Sequence, residues 1–309
     1  MGVVLDCVPT QTITMLKLWI GFCLSVLLVL LKILPLSPSV ANLQPAPQPA
    51  NPQPPVLQYR VESLPNAIVH TLTIPRQFPI GVALSPRLDR LEVMARSQNA
   101  VAALNGGFFD PVNQQSTSFV ASQGEWVADP RQNLRLMENP DLARYLQQIL
   151  DRSEFRQYQC GQQLQAAIVP HHAPLPNSCQ LRVAVGGGPQ LLPILTAAAE
   201  GFWDEAAGRD AIGLHQPNAR TAIGLTQAGD VLWVMVAQRP EAPSASGMSL
   251  LGLADYLDRL GVMQALNLDG GSSSSFYYQG QTVYGKVDLQ GNRVQRAVKS
   301  ALLVQTASQ

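Results

Sequence analysis

The chain has 309 residues, 46% of them hydrophobic and 14% charged, which is ample for a packed core and excludes a disordered chain. Its 21 basic and 21 acidic side chains balance to a formal charge of zero, which argues against nucleic acid as a partner because contact with phosphates needs a positive surplus. Only four of the basic residues are lysines (Lys17, Lys32, Lys286 and Lys299), and an arginine-rich chain suits forked recognition of phosphate or carboxylate.

The first element is an apolar run, Leu18 to Leu31, flanked by Lys17 and Lys32. Its length fits the core of a signal peptide better than a bilayer-spanning helix of about 20 residues. Ser39-Val40-Ala41 supplies a small-x-small cleavage site, so residues 1–41 read as a signal peptide or, uncleaved, a membrane anchor. Met15-Leu16-Lys17 makes a more compact start than Met1. Eight prolines between Pro35 and Pro55 predict an extended tether, with residues 42–55 as linker and one folded domain over 56–309. The domain is expected outside the cytoplasm, periplasmic or secreted, or held at the cytoplasmic membrane if the leader stays attached.

Within the domain, short strand-like runs end at turn residues. Val101–Leu104 runs into Asn105-Gly106-Gly107. Asn139-Pro140, followed by Leu142, Leu146, Ile149 and Leu150, predicts a capped helix. Cys160 and Cys179 are the two cysteines beyond the leader, and an even pair in an exported chain is a disulfide candidate. They form no metal-ligand spacing, and the adjacent His171-His172 cannot share a helix face, so neither metal nor cofactor is implied. Leu181–Val185 predicts a strand ending at Gly186-Gly187-Gly188. Thr221–Leu225 and Val231–Val236 flank Gln227-Ala228-Gly229-Asp230 as a hairpin. Ser249 to Leu260 reads as an amphipathic helix stopped by Gly261, and Val262–Leu268 as a buried strand leading to Asp269-Gly270-Gly271. Phe276–Tyr278 and Thr282–Tyr284 form a last hairpin. The fold class expected is α+β: a single domain of curved, mostly antiparallel sheet with a few packed helices.

Familiar catalytic motifs fail on inspection. Gly280 to Val287 nearly spells a phosphate-binding loop but has Val287 where the magnesium-binding Ser/Thr belongs, and it lies on a hairpin. Gly270-Gly271-Ser272-Ser273 lacks the closing glycine of a nucleophile elbow. What remains are three glycine-rich or Arg-containing segments at strand ends: Asn105 to Asp110, Ala219 to Gly224, and Asp269 to Ser273. Each alone is an ordinary turn. Together they place polar side chains where one cleft could gather them.

These segments, NGGFFD, GGGPQLL, ARTAIG and LNLDGGSSSSF in that order, resemble the phosphodiester glycosidase family over roughly Val56 to Thr306. The family's motif residues fall on Asn105, Gly106, Phe108, Phe109, Arg220, Thr221, Asp269, Gly270 and Gly271. Ser272 and Gly252 replace a glycine and an acidic residue usual in the family. The resemblance implies a hydrolase of glycosyl phosphodiesters, with carbohydrate or glycosyl phosphate as substrate.

The residues permit that chemistry. Ordinary glycosidases use two carboxyl groups, one of which protonates the leaving oxygen. A phosphate monoester leaves as a stable anion, so charge stabilisation matters more than a proton. Asp269 is the expected nucleophile or general base, and Arg220 the expected phosphate clamp. Asn105, Gly106, Gly107, Phe108, Phe109, Asp110, Thr221, Gly270, Gly271 and Ser272 are the expected substrate contacts, with a phenylalanine able to stack on a sugar and Asp110 as a reserve carboxylate. A non-catalytic envelope protein that binds polysaccharide is the alternative. A metal-dependent phosphodiesterase is disfavoured, because none of the four histidines lies in these motifs.

Overall fold

A computed structural model describes residues 55–305. The leader, Met15 and the linker up to residue 54 lie outside the described residues. Among the described residues no helix is long and apolar enough to cross a membrane.

Every pairing between the strands is antiparallel, and three sheets carry most of them. The first has the order Gln58–Leu64, Ala67–Ile74, Val231–Ala237, Arg220–Thr226, Val262–Asn267, Gln190–Leu192. The second runs Gln281–Tyr284, Ser275–Tyr278, Ala100–Asn105, Val298–Gln305, Gly81–Asp89. The third runs Glu125–Ala128, Val120–Ser122, Cys179–Gly186, Ser153–Cys160, Gln163–Pro170. The fold is thus α+β, with few helices.

The central core forms where the three sheets meet. Leu72, Trp233 and Met235 come from the first, Leu104, Phe276 and Leu302 from the second, and Phe155, Val183 and Val185 from the third. The opposite face of the first sheet is also buried. Leu232, Val234 and Val236 pack there with Leu250, Leu253 and Leu257 of the helix Leu250–Arg259. This is why Val231–Ala237 is apolar at every position rather than at alternate ones. The second sheet likewise buries Ala103, Ala301 and Leu303 against Leu91, Met94 and Ala95 of the helix Leu91–Ser97.

Local signals set most boundaries. The Ser249 side chain accepts a hydrogen bond from the Gly252 N–H at 3.0 Å, capping its helix, and Gly261 closes it at φ 76°. The helix expected over 139–150 is shorter than predicted. The Asn139 side chain accepts from the Asp141 N–H in a tight turn, and a 3-10 turn Ala143–Tyr145 precedes a single α-helical segment, Leu146–Leu150. Only Leu136, Tyr145 and Ile149 are buried there, in a small satellite cluster, too little apolar surface to sustain a long amphipathic helix.

Cys160 and Cys179 face each other on adjacent strands and are disulfide-bonded, with Cα atoms 4.2 Å apart. Opening a loop of this size removes roughly 3 kcal/mol in the chain-entropy treatment. Reduction should therefore lower the melting temperature by about 6–12 °C, read by calorimetry with and without reductant.

Candidate active site

The three segments singled out in the sequence converge. The Asp269 N–H donates to the Gly106 carbonyl (3.1 Å), the Leu268 N–H to that of Thr221 (2.8 Å) and the Gly271 N–H to that of Ala219 (2.8 Å). Asn105 sits at the junction, fully buried. Its Nδ2 donates to the Asp269 carbonyl at 2.6 Å, and its Oδ1 accepts from the Thr221 hydroxyl at 2.9 Å and the Ser275 N–H at 3.0 Å. The second sheet thereby pins the ends of two strands of the first. Gly107 belongs to the same joint: a Cβ there would lie 2.1 Å from the Gly186 carbonyl oxygen, so only glycine fits.

Asp269 leaves this joint with its residue half-buried and its carboxyl group enclosed. Burial pushes the carboxyl pKa up to about 6, opposed by the Ser273 hydroxyl, the nearby Arg296 charge and the Gly270 N–H. Arg296 precedes the strand Val298–Gln305 and is half-buried. Its Nη1 donates to the Ser272 hydroxyl at 2.8 Å, and its guanidinium lies over the Phe109 ring at 5.1 Å. Gly270, Gly271 and Ser272 follow Asp269 as a half-buried turn, and the Gly270 N–H acts on the carboxyl. Arg296 was missed in the sequence, where nothing around Gln295-Arg296-Ala297 marks it as special.

Arg220 corrects a sequence expectation. It is 2% exposed, and its head group is spent on backbone carbonyls: Nε on Met248 (3.0 Å), Nη1 on Ile212 (2.9 Å), and Nη2 on Gly213 (2.6 Å) and Gln216 (2.8 Å). It makes no ion pair with Asp269 among the described residues. Its stem passes Gly270, and its fork clamps a loop rather than a phosphate. Desolvation lowers its pKa to about 10, so it stays charged at neutral pH. Asn105 and Thr221 are corrected likewise, since each is fully buried and bonded to the other rather than open to a ligand.

The remaining expectations divide. Gly106 is buried, its N–H donating to the Ser300 carbonyl at 2.8 Å. Phe109 packs into the core beneath the second sheet, and it is Phe108, half-buried, that reaches a second aromatic, Phe202, with centroids 5.7 Å apart. Asp110 is a turn residue. Its carboxylate accepts from the Val112 N–H and from Arg135 Nε, each at 2.8 Å, and does not join Asp269. Two wider clefts, one bordered by Arg76 and Gln163 and the other by Tyr145 and Trp203, do not include Asp269.

The site is a desolvated carboxyl group at the ends of paired antiparallel strands, flanked by glycine turns and a guanidinium, in an α+β domain. The phosphodiester glycosidase family model matches residues 98–305, and the chain belongs to that family. Among solved structures, the chain is similar to a zebrafish N-acetylglucosamine-1-phosphodiester alpha-N-acetylglucosaminidase catalytic domain auto-inhibited by its pro-peptide, with 19% identity, TM-score 0.63, and coverage of 83% of this chain and 86% of that one. It is also similar to a hypothetical protein from Synechocystis (19%, TM-score 0.52), covering 80% of this chain and 61% of that one. A Burkholderia pseudomallei protein described as exported matches at 16% identity and TM-score 0.56, over 77% of this chain and 74% of that one. At these identities the structures speak for the fold. No curated protein matches the sequence.

Proposed function

We propose that residues 56–309 form an extracytoplasmic hydrolase that cleaves a glycosyl phosphodiester of the cell envelope or of secreted polysaccharide, with Asp269 as nucleophile or general base. The observation that carries this reading is the Asp269 carboxyl, lifted to about 6 at the meeting point of the family's motifs. The bond between the anomeric carbon and the phosphate oxygen breaks. Its electron pair stays on that oxygen, water supplies the sugar's new hydroxyl while its other proton passes by way of Asp269 to solvent, and a phosphate monoester departs. Such a leaving group is already a stable anion, so one carboxylate suffices where an ordinary glycosidase needs two. Location outside the cytoplasm rests on the apolar leader and fits the disulfide, which persists in oxidising compartments. An uncleaved leader would hold the enzyme at the membrane.

A panel of glycosyl phosphodiesters tests the reading. Release of free sugar and a phosphate monoester is expected, and release of a sugar phosphate would overturn it. The alternative, a polysaccharide-binding protein without activity, draws on the cleft bordered by Tyr145, Trp203 and Gln148, which has the aromatic and amide lining of a sugar site apart from Asp269. It wins if no diester is cleaved while oligosaccharide binding is lost in Trp203→Ala.

A further inference from the structure

With Arg220 buried in its loop, the proposed reaction needs another positive charge beside Asp269. We propose that Arg296 is that group: it holds the phosphate of the substrate, and of the departing monoester, against the Gly270–Ser272 turn. The inference rests on Asp269 being the reaction centre.

Three observations carry it. First, Arg296 reaches the turn that follows Asp269, its Nη1 donating to Ser272 Oγ at 2.8 Å, and its charge favours the ionised Asp269 carboxyl, whereas the Arg220 head group turns to the carbonyls of its own loop. Second, its guanidinium is oriented but unspent. One Nη1 hydrogen reaches Ser272 Oγ, and the Phe109 face supports the plane, while Nε and Nη2 have no partner and no carboxylate lies within ion-pair distance among the described residues. A guanidinium has five N–H donors in a fixed fork, so this orientation leaves a whole edge for two phosphate oxygens. Arg220 has the opposite arrangement, with all three nitrogens committed. Third, Gly271 carries no side chain, and a Cβ there would have only Asn218 Nδ2 within 4 Å, at 3.6 Å, so an anion can approach the turn on that side, whereas Gly270 packs against the Ala219 carbonyl. Phe109 is 9% exposed and gains a role in the same stroke: it is the platform that keeps the Arg296 plane fixed, not a sugar-stacking surface.

A rival cation is present. Lys286 is half-buried and donates to Asn218 Oδ1 at 3.1 Å, on the Gly271 side of the turn. As a point charge it would attract an anion without fixing its orientation.

The test separates binding from turnover. Titration calorimetry with glycerol 1-phosphate, a phosphate monoester, is run on the full chain carrying Arg296→Ala, Arg296→Lys or Lys286→Ala, beside the wild type. Circular dichroism confirms that each is folded. Arg296→Ala is expected to weaken binding at least 30-fold and Arg296→Lys about tenfold, with Lys286→Ala within threefold of wild type. On a cleavable phosphodiester, Arg296→Ala should lower kcat/KM by a similar factor, yet cost much less, at about pH 8 where Asp269 is ionised, on a nitrophenyl glycoside, whose activated phenolate leaves without an acid and carries no phosphate. Binding unchanged in Arg296→Ala, binding lost only in Lys286→Ala, or no binding by the wild type at all would each overturn the proposal. If binding depends on Arg296 but the wild type cleaves no diester, the phosphate site stands and the hydrolase reading falls.

Discussion

Asp269→Asn is expected to leave a folded protein with less than about a thousandth of wild-type turnover, a loss of roughly 4 kcal/mol of transition-state stabilisation. Asparagine keeps the shape of the side chain but can neither attack a carbon nor take a proton. In the wild type, activity should rise with pH through about 6 and then level, because the ionised form acts as nucleophile or base. A fall above 6 would instead make Asp269 the acid. The Arg296 charge, the Ser273 hydroxyl and the Gly270 N–H each favour the ionised form, and burial outweighs them.

The same shift has a stability consequence. A carboxyl whose folded pKa is raised contributes stability that is fully present below its ordinary value near 3.8 and is lost as pH rises through about 6. At neutral pH the ionised Asp269 therefore opposes folding, by up to roughly 3 kcal/mol. Asp269→Asn should melt at or above the wild-type temperature at pH 7, and the advantage should shrink between pH 6 and 4. A variant that melts far below wild type at pH 7, or that keeps more than about a tenth of turnover, removes Asp269 from the centre of the chemistry.

Arg220→Ala should behave in the opposite way, as a stability variant. Four carbonyls, of Met248, Ile212, Gly213 and Gln216, lose their donors at once. Hydrogen bonds to a charged donor are worth about 1.5–3 kcal/mol each, but the loop can partly rehydrate, so the net loss is about 4 kcal/mol. For a domain of this size the melting temperature should fall by about 8–16 °C. Arg220→Lys, which keeps the charge and loses the fork, should recover only part of it. The decisive reading is selectivity: the ratio of activity on a phosphodiester to activity on an activated nitrophenyl glycoside, which carries no phosphate, should stay at its wild-type value in folded Arg220→Lys. A selective loss on the phosphodiester would restore Arg220 as a phosphate ligand and count against Arg296.

Where local chemistry decides structure, the sequence was readable. The Ser249 cap, the leucine spacing after it and Gly261 bound one helix to within a residue. The turn around Gly229 gave a hairpin whose strands, Arg220–Thr226 and Val231–Ala237, extend the predicted ones slightly. The strand Ser153–Cys160 was invisible because its sequence, SEFRQYQC, looks like surface. It is buried because its polar groups are paired: Glu154 with Arg156 on the same strand and with His171 from farther along the chain, while Gln157 both accepts from the Ile80 N–H and donates to the Phe78 carbonyl. No local pattern reveals such bonds before the sheets assemble.

The same division runs through the site. By itself the sequence determined that Asn105 and Asp269 lie at strand ends beside glycines and that Arg220 opens a strand, and the family to which that pattern belongs. Only the tertiary structure decided how each is used, because a side chain's role depends on which of its donors and acceptors the fold consumes. The Asn105 amide is taken by Thr221, Ser275 and the Asp269 backbone, and the Arg220 fork by four carbonyls of its own surroundings. Burial leaves the Asp269 carboxyl reluctant to ionise, and Arg296, unremarked in the chain, arrives beside it with an edge of its guanidinium still open.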